Sequence, residues 1–262
     1  MTVSPDILVF SDLDGTLIDH ETYGWSAAKP ALAALKKAGA GVVLSSSKTA
    51  AEMIVLRKEM GLNDWPAIVE NGAGVLPSGV AALPEPDQYA QLRSALEQLP
   101  EALRLRFTGF GDMSIADVVA ATGLDPDAAA LAKERCFSEP GLWSGDDVQK
   151  GDFLKALADQ GITAQQGGRF LTLSFGANKA DQMRALTCEL KPKHTIALGD
   201  APNDIQMLEA AEFPVVIKNM HRAPLAPLAN EARAIRTEHP GPEGWNAAIL
   251  DLLTKLVPTP TT

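Results

Sequence analysis

Residues 7–17 read Ile7-Leu8-Val9-Phe10-Ser11-Asp12-Leu13-Asp14-Gly15-Thr16-Leu17, and the rest of the chain is organised around them. The apolar run Ile7 to Phe10 predicts a buried strand. Two carboxylates follow at i and i+2, and Gly15 then breaks the backbone. On an extended chain, Asp12 and Asp14 project to one face at the carboxyl end of the strand, where open α/β sheets bind ligands. Two anions at that spacing repel each other and need a cation or a shared proton. Oxygen ligands of this kind suit Mg²⁺, which takes one or two carboxylates, several waters and a substrate phosphate. The same Asp-x-Asp-Gly string also reads as a plain turn at a strand end, so its neighbours decide.

Working outward, Ser26 to Ala38 has helical spacing and Gly41-Val42-Val43-Leu44 is a second short apolar run, which together with the first gives a βαβ unit. That strand ends in Ser45-Ser46-Ser47-Lys48-Thr49, and Thr49 to Met60 predicts the next helix. Hydroxyls and N–H groups at such a turn serve equally as helix caps or as an anion site. A third strand, Ala67 to Glu70, runs into Asn71-Gly72-Ala73-Gly74. From about Pro77 the rhythm changes to clustered prolines, Ala-rich helical patches and an alternating hairpin over Gln165 to Phe175. The strand-helix rhythm resumes with a helix opening at Lys179. A short strand, Thr195 to Leu198, then ends in Gly199-Asp200-Ala201-Pro202-Asn203-Asp204, and Pro214 to Ile217 is a further strand. A last amphipathic helix spans Trp245 to Leu256, and the tail 258–262 is expected to fray. The implied organisation is a doubly wound α/β parallel-sheet core in two parts, 1–83 and 176–262, with an α+β domain inserted over 84–175.

The bulk numbers exclude some partners. A formal charge of -10 over 262 residues argues against nucleic acid and anionic membranes, which attract basic patches. No apolar stretch approaches the ~18 residues a membrane span needs, and no signal peptide is evident. Cys136 and Cys188 lack metal-ligand spacing and read as buried or partly buried thiols, which suits a reducing cytoplasm. His20, His194, His221 and His239 are scattered and read as surface or packing residues.

Four acidic side chains (Asp12, Asp14, Asp200, Asp204), one lysine (Lys179) and one serine (Ser46) therefore fall at successive strand-to-helix transitions. Carboxylate, cation, lysine and hydroxyl donor are the parts that phosphoryl transfer requires, because positioning and charge neutralisation dominate that reaction. A phospho-acceptor module without turnover uses similar parts. It has no need of Asp14 or of an inserted domain.

In this order, Asp12-x-Asp14-Gly15-Thr16, Ser46, Lys179 and Gly199-Asp200-x-x-Asn203-Asp204 resemble the four motifs of phosphatases of the haloacid dehalogenase (HAD) superfamily. The insertion resembles their type 2 cap. The resemblance implies that Asp12 attacks phosphorus and that Asp14 serves as acid and then base. Ser46 and Lys179 hold phosphoryl oxygens. Asp12, the Asp14 carbonyl and Asp200 bind Mg²⁺, with Asp204 in or beside the coordination sphere. Further strings resemble the mannosyl-3-phosphoglycerate phosphatase family: Ser45-Ser46-Ser47-Lys48-Thr49-x-x-Glu52-Met53, Glu70-Asn71-Gly72-Ala73, Gly168-Arg169-Phe170 and Gly241-Pro242-Glu243-Gly244-Trp245. That likeness is thinnest from about Pro84 to Gln165. Ser47, Lys48 and Asn203 complete the expected substrate-binding set. A substrate carrying phosphate and carboxylate needs two anion sites, and Arg169 with Lys48 is the expected carboxylate reader.

Overall fold

The computed structural model describes residues 4–257, so the tail 258–262 lies outside the described residues. The strands are β1 (Ile7–Ser11), β2 (Gly41–Ser45), β3 (Ala67–Val69), β4 (Gly74–Leu76), β5 (Phe107–Gly109), β6 (Glu139–Trp143), β7 (Thr163–Gly167), β8 (Phe170–Ser174), β9 (His194–Gly199), β10 (Phe213–Lys218) and β11 (Ile235–Pro240). The helices are α1 (Lys29–Lys37), α2 (Ala50–Met60), α3 (Asp87–Glu97), α4 (Glu101–Arg104), α5 (Ile115–Thr122), α6 (Pro126–Lys133), α7 (Asp147–Ala158), α8 (Lys179–Leu190), α9 (Ile205–Ala210) and α10 (Gly241–Leu256). The chain divides into two compact units. One comprises Met1–Ser46, Asp64–Ile68 and Lys179–Thr262, the other Ser47–Asn63 and Val69–Asn178.

In the first unit the sheet runs β11-β10-β9-β1-β2-β3, with parallel pairing throughout. Strand β1 is buried along its whole length, as expected for a strand covered on both faces. The chain builds from β1 through β2 to β3 on one side, then returns to pair β9 with β1 on the other. The order reverses at β1, and its carboxyl end, carrying Asp12, is the switch point where such sheets open a crevice. Helix α10 presents Trp245, Ala248, Ile249, Leu252 and Leu253 as one buried stripe, the spacing of a single helical face.

The second unit holds a four-stranded antiparallel sheet, β5-β6-β8-β7. Leu92, Leu96, Phe107, Phe153, Leu157 and Leu173 form its core. Helix α2 is fixed at its start by a reciprocal capping box. Glu52 N–H donates to Thr49 Oγ1 (3.2 Å) and Thr49 N–H to the Glu52 carboxylate (2.8 Å). Of the hydroxyls in that turn, Thr49 is therefore the cap.

The structure corrects several boundaries. Ser26–Ala28 is a 3₁₀ turn preceding α1, and α10 starts four residues before Trp245. Strand β3 stops at Val69, because Glu70 and Asn71 take left-handed backbone angles (φ 52° and 59°). Three strands had no sequence signal: β4, in the stretch read as a Gly-rich loop, β6 and β11. Strand β6 contains Pro140, a residue that argues against a central strand. It pairs with both β5 and β8, and the Pro140 carbonyl still accepts from Phe110 N–H at 2.9 Å. Strand β11 is mostly exposed and lacks an apolar run.

Candidate active site

The site is built from the ends of β1 and β9 and the starts of two helical segments, all within the first unit. Strand β1 ends at Ser11, and the Asp12 N–H makes the next backbone bond, to Leu198 O on β9 (2.9 Å). The chain does not stay extended beyond that point. Thr16 and Ile18 N–H both donate to Leu13 O (3.0 and 2.8 Å), closing a tight loop with Leu13 buried beneath it. Alternation holds only along an extended strand, so strand geometry does not set the relation of Asp14 to Asp12. Asp14 is half-buried in that loop, bridged to Ile18.

Asp12 instead meets residues from far along the chain. Lys179, the first residue of α8, is buried and places Nζ 2.6 Å from Asp12 Oδ1 and 2.8 Å from Asp204 Oδ1. Asp204 Oδ2 accepts from the backbone N–H of Asp200 and Ala201 (3.2 and 3.1 Å), so the turn after β9 folds around its own carboxylate. Thr16 Oγ1 donates to Asp200 Oδ1 (2.9 Å), and Asn219 Nδ2 donates to Asp200 Oδ2 (2.5 Å). Gly15 has φ +83°, and a Cβ there would lie 3.0 Å from Asp200 Oδ2. Backbone angle and close approach both demand glycine.

Charge explains what the cluster is suited to hold. One oxygen from each of Asp12, Asp200 and Asp204 lies within 4.8 Å of the others, and all three residues are buried. Burial, with Asp204 beside it, pushes the Asp12 carboxyl well above the usual range despite the Lys179 ammonium. Burial also raises Asp200, against the hydrogen bond from Asn219. Burial alone would lower the Lys179 pKa, but Asp12 and Asp204 together more than offset this and raise it. Three carboxylates against one ammonium leave a buried negative excess. An all-oxygen donor set of this kind fits a hard divalent cation such as Mg²⁺.

The remaining expected residues stand on other segments of the chain. Ser46 is buried just past β2, its N–H bonded to Ile68 O at 3.0 Å. Asn203 is half-buried in the 3₁₀ turn Pro202–Asp204. Ser47 (exposed), Lys48 (half-buried) and Arg169 (exposed) belong to the second unit. There the Lys48 carbonyl accepts from Glu70 N–H at 2.9 Å. Arg169 Nη1 donates to Ala121 O at 2.5 Å, and its guanidinium lies 5.9 Å from the Phe170 ring centroid. Sequence reasoning missed Thr16 and Asn219 as partners of Asp200. Thr16 was in view within the first motif, whereas nothing local marks Asn219.

The family model for haloacid dehalogenase-like hydrolases matches residues 9–99 and 145–227. The chain belongs to that hydrolase family and is an enzyme of the HAD superfamily. Similar solved structures include a haloacid dehalogenase-like hydrolase from Bacteroides thetaiotaomicron, at 19% identity and TM-score 0.69, covering 94% of this chain and 98% of that one. The sucrose-phosphatase from Synechocystis sp. PCC6803, in complex with sucrose and phosphate, aligns at 15% identity and TM-score 0.61, covering 96% and 98%. A HAD subclass IIB sugar phosphatase aligns at 16% identity and TM-score 0.62, covering 95% and 99%. At these identities the likeness speaks for the fold.

Proposed function

We propose that the chain is a Mg²⁺-dependent phosphomonoester hydrolase that converts mannosyl-3-phosphoglycerate to mannosylglycerate and phosphate through an aspartyl-phosphate on Asp12. The observation that carries the reading is the buried set of Asp12, Asp200 and Asp204 around Lys179. Sugar phosphatases among the structural neighbours support the substrate class. The strings around Ser47-Lys48, Glu70 and Trp245 support the narrower substrate.

In this reading an Asp12 carboxylate oxygen forms a bond to phosphorus as the ester P–O bond breaks. Asp14 gives a proton to the departing glycerate alkoxide. It then takes one from the water that attacks phosphorus, which frees phosphate and restores Asp12. Lys179 and Ser46 hold phosphoryl oxygens, and Ser47 and Asn203 bind substrate. Asp12, Asp200 and the Asp14 carbonyl hold Mg²⁺ beside Asp204. When bound, the ion neutralises charge on the transferring group. The Arg222 guanidinium, exposed three residues beyond Asn219, lowers the Asp200 pKa, although burial outweighs it, and so adds positive potential for an anionic substrate. Residues 84–175 serve as the cap, with Arg169 and Lys48 reading the glycerate carboxylate. The free thiols of Cys136, which is buried, and Cys188, which is exposed rather than buried as expected, are compatible with the proposed cytoplasmic setting.

The test is phosphate release, with Mg²⁺ and then with EDTA, from mannosyl-3-phosphoglycerate, glucosyl-3-phosphoglycerate, 3-phosphoglycerate and mannose 6-phosphate. A strong Mg²⁺-dependent preference for the mannosyl ester is expected. Equal rates across the panel would leave a sugar phosphatase of broader range. Stable phosphorylation without release would point to a phospho-acceptor module.

A further inference from the structure

Trp245 is fully buried on α10 and is not part of the carboxylate cluster, yet a hydrogen-bonded chain joins it to Asp12. Its indole Nε1–H donates to Ser11 Oγ at 2.9 Å, across 234 residues of sequence. The Ser11 hydroxyl donates in turn to the Asp12 carbonyl at 2.7 Å. Ser11 is itself wholly buried. The approach of α10 depends on Gly244, where a Cβ would lie 2.1 Å from the His239 carbonyl oxygen.

The geometry has a local cause. Ser11 is the last residue of β1 paired with β2, opposite Leu44. The Asp12 carbonyl therefore lies past the ladder, and a buried carbonyl requires a donor. A serine hydroxyl can rotate and can donate or accept. The indole can only donate, so it occupies a lone pair of Ser11 Oγ and commits the hydroxyl hydrogen to Asp12. The peptide is planar, so fixing this carbonyl fixes the whole peptide plane and turns the Leu13 N–H the opposite way. Asp12 is then held at three points: N–H by Leu198 O, carbonyl by Ser11, carboxylate by Lys179.

We propose that Trp245 is a positioning residue for Asp12, acting through the Ser11 hydroxyl to set the direction from which the carboxylate meets phosphorus. The proposal rests on the reading of Asp12 as nucleophile. In-line attack is sensitive to sub-ångström placement, so the effect belongs in kcat.

The experiment measures kcat and KM for p-nitrophenyl phosphate with Mg²⁺, together with thermal unfolding, for wild type, Trp245→Phe, Ser11→Ala, the double variant and Ser11→Thr. Each of the first two single changes is expected to lower kcat by about 10-fold with KM little changed. The double variant should lose no more than either single one, because both break the same chain. Ser11→Thr keeps the hydroxyl and should restore most of kcat. A Trp245→Phe enzyme with wild-type kcat overturns the proposal, and so does a double variant whose losses multiply. A loss that vanishes on lowering the assay temperature would mark Trp245 as packing alone, which also overturns it. Wild type that releases no phosphate, or undiminished release by Asp12→Asn, would instead remove the underlying reading of Asp12, and the proposal with it.

Discussion

The two units bury charge in opposite ways. In the inserted unit, Glu139 is fully buried but receives the Tyr89 hydroxyl (2.8 Å), Arg93 Nη1 (2.7 Å) and Gly111 N–H (2.9 Å). Arg93 and Arg104 also share Asp112. Glu70 accepts from the N–H groups of Cys136, Phe137 and Ser138 and pairs with Arg135 at 3.2 Å. Anions and donors balance there. In the parallel-sheet unit, Asp12, Asp200 and Asp204 face a single Lys179. A balanced network is costly to break and needs nothing further. An unbalanced one is relieved by a cation, so the excess carboxylates are suited to binding rather than to bracing the fold.

The contrast breaks most visibly at Asp12. Asp12→Asn should cut phosphate release by about 10⁴-fold without lowering the thermal unfolding midpoint, because it removes one of three crowded anions. Release assays and melting curves on one preparation check both halves, and a large drop in the midpoint would count against the imbalance. Glu139→Gln should do the reverse, costing about 3 kcal/mol of stability in urea unfolding, since it leaves Arg93 facing an amide.

A smaller effect sharpens the comparison through the metal. Mg²⁺ at a hundred times its Kd should stabilise wild type by about 2.7 kcal/mol, reversibly with EDTA, and Asp200→Asn should respond far less. A wild-type unfolding midpoint indifferent to Mg²⁺ would sink the cation reading. The smallest effect lies in acid. Burial would raise the Asp112 pKa, but hydrogen bonds from Arg93 and Arg104 win and pull it down to about 2. A carboxyl lowered on folding stabilises above its ordinary pKa of 3.8 and loses that contribution as pH falls towards 2. After solvent screening the contribution is about 1 kcal/mol. Unfolding at pH 6, 4 and 2.5 should show that acid loss in wild type and a flatter profile in Asp112→Asn.

Much of this was legible residue by residue. Apolar runs of four or five residues ending in Asp, Ser or Gly gave β1, β2, β9 and the order of Asp12, Lys179, Asp200 and Asp204 along the chain, because strand burial and turn chemistry are local properties. The helix start at Thr49 and the Gln165–Phe175 hairpin were legible for the same reason. Strand β6 was hidden by Pro140 and β11 by its exposure, since each exists through partners that periodicity does not register.

By itself, then, the sequence determined which residue types stand at each strand end, and hence the class of chemistry. Only the tertiary structure decided which of them meet. It drew Asp204 to Lys179 and left Asp14 outside the carboxylate trio. It set Thr16 and Asn219 on Asp200 and brought the Trp245 indole beneath Ser11. Those contacts join residues up to 234 positions apart, and side-chain geometry at that separation is fixed by packing of the folded chain, not by any local preference.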